Sequence, residues 1–297
     1  MNCSLNPKSY LPPIKVHVWG GLGSQLFALN LVLRIQNKFP QRKIMLVFHS
    51  SGVTERFRQI PSVPEVKIKQ VFDYASSIKT KISSKQKRSV VRTFRSFAKR
   101  SLRNLGLSLS CNNESEILQI KPWTIDIRGH YTELNCAEKD LLRIYSIIFD
   151  DLPQLQFIEE RDKIDFGIHL RLGDLLELTG AKSPKSVSDL NSFIELFYPG
   201  KRWIIFSDSD ESVVKQYLAD SNLRYSYRNL DILLTMYSLI HADVFIGTNS
   251  KLSTWIVAFR SIYRKTSASA LPAIQYSQLE FLLSKSAHYL QSYVALY

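Results

Sequence analysis

The hydrophobic and polar positions of this chain alternate between two periods. Ile14–Val18 is a short apolar run after Pro12 and Pro13, and it predicts a first strand. Residues 20–23 then form a tight glycine turn. Across residues 24–39, Leu26, Phe27, Leu29, Leu31, Val32, Leu33 and Ile35 recur at helical spacing, with Ser24 placed as N-cap. Residues 43–48, 66–71 and 125–131 predict further strands. Residues 137–160 predict a helix and a linker, with Pro153 near a domain boundary. Beyond it, residues 164–170, 202–206, 225–227 and 242–247 read as short buried strands. Residues 178–191 read as a polar loop, 192–197 as the start of a helix and 229–241 as a helix. Buried strands separated by helices indicate an α/β protein with parallel sheets.

The polar residues at the strand ends add chemistry. His169, Arg171, Gly173 and Asp174 follow the strand at 164–170. Ser207, Asp208, Ser209, Asp210 and Glu211 follow 202–206, and Thr248, Asn249, Ser250, Lys251 and Ser253 follow 242–247. Open α/β sheets bind ligands outside the carboxyl ends of their strands. The planar fork of Arg171 suits a phosphate there, although an Arg171–Asp174 ion pair closing a turn would use the same residues. The glycine turn ahead of a helix N-terminus is an anion cradle, with Gly21, Gly23, Ser24 and Gln25 as its candidate residues. His49, His130 and Tyr131 stand at other strand ends as candidate acceptor contacts, and a lone histidine such as His49 is more often structural. Asp208 and Asp210 spell an Asp-x-Asp, whose paired carboxylates can hold a divalent metal. Capping of the next helix together with a ligand contact explains them better than metal binding does.

Composition sets the frame. A chain of 297 residues suits two domains of roughly 130–150 residues each. There is no apolar run of about 18 residues, and residues 1–13 lack a basic-then-apolar leader pattern. Cys3, Cys111 and Cys136 are few, scattered and odd in number, which suits free thiols in a reducing cytoplasm. The net charge of +13 is concentrated. No acidic residue lies between Asp73 and Glu114, while Lys79, Lys81, Lys85, Lys87, Arg88 and five further cations up to Arg103 do. Val90, Val91, Phe94, Phe97, Ala98, Leu102 and Leu105 fall near helical spacing among them. The span 79–105 therefore reads as a basic amphipathic helix, either packed on its domain or lying on an anionic membrane face. No nucleic-acid recognition motif accompanies it.

The segment Trp19-Gly20-Gly21-Leu22-Gly23-Ser24-Gln25-Leu26-Phe27, together with His169-Leu-Arg171-Leu-Gly173-Asp174, resembles the bacterial α-1,2-fucosyltransferase family and its α-1,6- and protein O-fucosyltransferase relatives. Those enzymes carry Gly-Gly-x-Gly-Asn-Gln-(Leu/Met)-Phe after the first strand and His-x-Arg-Arg-x-Asp at the start of the second half. Here Ser24 replaces the asparagine and Leu172 the second arginine. Phe206, Ser207 and Asp208 match a Phe-Ser-Asp-Asp segment. Asn249, Ser250, Ser253 and Trp255 match Asn-Ser-Thr-Phe-Ser-Trp-Trp, and Gly129-His130-Tyr131 is a loose match to Gly-Tyr-(Phe/Trp)-Gln.

The resemblance implies a GT-B type enzyme with two Rossmann-like domains facing across a cleft. The expected boundaries are 1–155 for the acceptor side and 156–297 for the donor side. It further implies transfer of L-fucose from GDP-fucose, with inversion, without metal or other cofactor, to a glycan hydroxyl such as the 2-OH of a galactoside. Arg171 and Asp174 are the expected catalytic residues. Gly21, Gly23, Ser24, Gln25, His169, Ser207, Asp208, Asp231, Asn249, Ser250 and Ser253 are the expected donor contacts, with His169 and Asp231 on the guanine. Family and charge together place the enzyme in the cytoplasm, at the inner membrane face, acting on an oligosaccharide that is a lipid-linked O-antigen or capsule unit. Two other readings stay open. One is a transferase of another nucleotide sugar with metal at Asp208 and Asp210. The other is a non-enzymatic basic protein that binds membrane or nucleic acid.

Overall fold

The first sheet starts where the apolar pattern puts it. Strand β1 (Ile14–Val18) pairs in parallel with β2 (Ile44–His49) on one side and with β5 (Asp126–Ile127) on the other. Strands β3 (Ile78–Ser83) and β4 (Ser110–Cys111) complete a parallel sheet of order β3-β2-β1-β5-β4. The computed structural model describes residues 12–49, 78–83, 110–111, 117, 119–150, 152, 155, 164–172, 186–264, 268–283 and 293–296. The chain divides into two units, Met1–Leu134 and Asn135–Tyr297. The division precedes the boundary expected at residue 155. The reason is α2 (Glu138–Phe149), whose buried Tyr145 and Phe149 pack on aromatic residues of the second unit.

Helix α1 (Leu22–Lys38) buries all the apolar positions that predicted it. It begins three residues earlier than a cap at Ser24 would place it. Gly21 is the N-cap and makes no side-chain capping bond. Ser24 lies inside the first turn, where its amide donates to the Gly21 carbonyl at 3.0 Å. The glycine at 20 is required by its φ of +87°, a region that side-chain-bearing residues rarely adopt. The expected basic helix also changes at its start, because residues 78–83 form strand β3 against β2. The alternation Ile-Lys-Thr-Lys-Ile has a period of two, which suits a strand. Residues 84–109, which carry the remainder of that expectation, lie outside the described residues, as does the strand expected at 66–71.

The second unit is a parallel sheet of six strands, in the order β11-β10-β9-β6-β7-β8. These are β6 (Phe166–Leu170), β7 (Arg202–Ser207), β8 (Arg224–Tyr227), β9 (Val244–Gly247), β10 (Ala268–Pro272) and β11 (Tyr293–Leu296). Between them run α3 (Ser186–Phe197), α4 (Glu211–Tyr217), α5 (Ile232–His241), α6 (Lys251–Tyr263) and α7 (Ala273–Leu282). From β6 the chain steps outward through β7 and β8, then returns to lay β9, β10 and β11 on the opposite side. The direction reverses between β6 and β9, which is the Rossmann arrangement and its switch point. Both units are α/β with all-parallel sheets, as the sequence pattern indicates.

One arginine ties the second unit together. Arg260 of α6 is fully buried. Its guanidinium donates to the carbonyls of Leu239, Ile240, Ala242, Asp243 and Ala268, and to the Ser269 hydroxyl. It satisfies the exposed carbonyl end of α5 and joins it to β10. Removing the side chain would leave these acceptors buried without donors. Arg260→Ala is therefore expected to lower unfolding stability by about 3–5 kcal/mol, read as a drop in denaturant midpoint.

Candidate functional site

The polar groups of the second unit gather at its switch point. Along β6 the side chains alternate, and Ile168 and Leu170 belong to one apolar cluster. Gly167 and His169 take the opposite face. A Cβ at Gly167 would lie 2.6 Å from Leu239 of α5, and His169 meets Ser253 of α6. The alternation continues past the strand end. Leu172 is buried with Ile168 and Leu170, whereas the half-buried Arg171 follows on the side of His169. Leucine in place of the family's second arginine is thus a core residue.

The ends of β6 and β9 are bound together. The Thr248 hydroxyl donates to the His169 carbonyl at 2.8 Å and accepts the Arg171 amide at 2.9 Å. The Thr248 amide donates to the same carbonyl at 3.1 Å. From β7, Asp208 accepts the Leu172 amide at 2.8 Å. These bonds hold the backbone on both sides of Arg171. Ser207 accepts the Ser209 amide. Asp210 occupies the N-cap of α4 without a side-chain capping bond, so the expected side-chain cap is not made.

Helix α6 starts directly at this edge. Ser250 is its N-cap and accepts the Ser253 amide at 3.1 Å. Ser253 in turn lies 3.0 Å from Ser250 Oγ and 3.3 Å from His169 Nδ1. Close approach is allowed by Gly247, where a Cβ would sit 2.6 Å from that of Ser253 and 2.8 Å from Leu271. The first amides of α6 precede its intrahelical bonds and, with the helix dipole, favour an anion. His169 is buried, and burial pushes its pKa down to about 4; Arg171 adds to this while Asp208 opposes it. The imidazole is therefore neutral at physiological pH, and Arg171 supplies positive charge at this edge.

Asn249, Ser250 and Ser253 thus sit at one helix start, with His169, Arg171, Ser207 and Asp208 at the adjoining strand ends. Asp231 caps α5, accepting the Leu233 amide at 2.9 Å. Gly173 and Asp174 lie outside the described residues. Among the described residues no three His, Cys, Asp or Glu side chains group as metal ligands, and no helix is long and apolar enough to span a membrane.

The first unit builds its own switch point, between β1 and β5. Gly21, Gly23, Ser24 and Gln25 lie together at the start of α1, and Gln25 is buried, donating to the Gly20 carbonyl at 2.9 Å. Beside them His17 and Asp126 form a buried pair at 2.7 Å. Arg128 reaches the second Asp126 oxygen, and Trp19 stacks on His17. Tyr131 is held at φ 62° and donates to the His17 carbonyl at 2.6 Å. Its ring is buried, so it supports the strand end rather than meeting an acceptor. Sequence reading missed the His17–Asp126 pair, because 109 positions separate its members and no motif contains both.

No protein-family model matches the sequence, and no curated protein matches it. Among solved structures, E. coli heptosyltransferase WaaC with ADP aligns over 96% of this chain and 92% of its own, with a TM-score of 0.44 and 11% identity. NodZ α-1,6-fucosyltransferase soaked with GDP-fucose aligns over 84% and 92%, with a TM-score of 0.39 and 14% identity. A UDP-GlcNAc 2-epimerase from Methanocaldococcus jannaschii aligns over 93% and 71%, with 0.39 and 11%.

Because His169 is depressed in the fold relative to its usual value near 6.5, the unfolded chain takes up its proton first as pH falls. Its contribution to stability is complete above about pH 6.5 and is lost on the way down to about pH 4. His241 is also lowered to about 4, chiefly by burial and then by Arg264 and Arg260, and acts in the same direction. His169→Gln is expected to flatten part of this acid loss, measured as the urea midpoint between pH 7 and pH 4.5.

Proposed function

We propose that the protein is a glycosyltransferase that holds a nucleotide-sugar diphosphate at the switch point of its second unit. The observation that carries this reading is the set of groups bound around Arg171: a fixed guanidinium-bearing backbone, a neutral buried histidine and the N-terminal turn of α6. A sugar–diphosphate bond breaks with negative charge growing on the leaving phosphate. A positioned cation and helix amides stabilise that charge more than they do the bound ground state. The electron pair of the broken bond leaves with the diphosphate. The acceptor oxygen forms the new bond to the anomeric carbon, and its proton passes to a base, for which Asp174 is the proposed group.

The ordered motifs support a finer reading, in which the donor is GDP-fucose and the acceptor a glycan hydroxyl such as the 2-OH of a galactoside. Donor binding in this reading needs no metal, because Arg171 and the α6 amides neutralise the diphosphate. It extends to a cytoplasmic enzyme working on a lipid-linked acceptor, with the basic span 79–103 against anionic lipid. Retention on anionic vesicles at low salt, reversed by salt, tests that last part.

The experiment that tests the donor site is calorimetric titration with GDP, with and without magnesium. Metal-free binding is expected, with Arg171→Ala weakening it by about tenfold or more. Binding that requires magnesium and fails in Asp208→Asn supports transfer with a metal-bound donor instead. Turnover of GDP-fucose against a panel of galactosides then identifies donor and linkage.

A further inference from the structure

Gln275 is a core residue with a cost that the core does not require. It lies in the first turn of α7, is 2% exposed, and its Oε1 is buried without a hydrogen-bond partner. Leucine or methionine would fill similar volume without burying an unpaired acceptor. Its Nε2 donates to Oδ1 of Asn249, the residue just ahead of the α6 cap. Asn249 itself is exposed.

This bond fixes the orientation of the Asn249 carboxamide. With Oδ1 accepting from a buried donor, the two N–H groups of the exposed Asn249 carboxamide are left as donors, one residue ahead of the α6 cap. Exchanging oxygen and nitrogen in both side chains would bury an N–H pair of Gln275 instead of a carbonyl oxygen. Buried unpaired N–H groups are the rarer and costlier case. The unpaired atom is thus the less costly one, and the arrangement keeps Asn249 a donor.

We propose that Gln275 is a positioning residue of the anion site, holding Asn249 so that its carboxamide N–H groups donate to the terminal phosphate of a nucleoside diphosphate. The inference rests on the donor reading above and adds a residue outside every motif. It makes a chemical distinction: the Asn249 donors act on the second phosphate, so they separate diphosphates from monophosphates. Nucleoside recognition is unaffected.

The test compares affinities of the full chain for GDP, ADP and UDP with those for the matching monophosphates, by calorimetry. The parent protein is expected to prefer a diphosphate. Gln275→Leu is expected to keep its thermal midpoint and its monophosphate affinity while losing about tenfold of that preference. A folded Gln275→Leu with an unchanged ratio overturns the inference and leaves the donor reading standing. Asn249→Asp, on the exposed side, gives an independent arm. It keeps the acceptor for Gln275 but replaces the outward donors with a charged oxygen, so it is expected to lower the ratio at least as far. An unchanged ratio there also overturns the inference. A parent protein with no preference for any diphosphate overturns the donor reading, and this inference falls with it.

Discussion

Two parallel strands whose connections leave in opposite directions open a gap at their carboxyl ends that no connecting loop crosses. That constraint governs the second sheet. In the second unit the gap lies between β6 and β9, and it fixes which residues can meet: the last residues of β6, the turn after β9 and the start of α6. Everything polar in the site follows from it. The His169 carbonyl, at the mouth of the gap, is taken by Thr248 twice over, through hydroxyl and amide. The same hydroxyl fixes the Arg171 amide, so the cation is set by backbone bonds rather than by the conformation of a loop.

Much of this was legible in the sequence, and the reasons are physical. A strand buried on both faces leaves an unbroken apolar run, so Ile14–Val18 and the cores of β6, β7 and β9 were readable, as was the buried face of α1. Ends were less readable. Ser24 has the chemistry of a cap, yet Gly21 takes that place, because the chain turns at Gly20 with a positive φ and the helix begins sooner. Lys79 and Lys81 belonged to a charge pattern read as a helix, but their alternation with Ile and Thr is strand-like. Leu172 shows the limit of motif comparison. Its position in a charged motif marks it as a departure, while period two along β6 makes it a core residue. The His17–Asp126 pair and the Gln275–Asn249 bond are long-range, and only the fold brings their members together.

Polar burial in this protein is of two kinds. Arg260 and Thr248 saturate carbonyls that the fold itself leaves open, so their role is architectural. Gln275 and Gln25 each bury a carboxamide with one oxygen unpaired, and each stands in the first turn of its helix beside a switch point. The second kind carries an energetic cost that good packing alone would avoid.

The guanidinium of Arg260 has a mechanical consequence. It grips the carboxyl end of α5, the approach to β9 and the first residues of β10 from a single point on α6. Those segments are pinned together at one point in the last turn of α6, so displacing any one of them breaks buried bonds that hold the others.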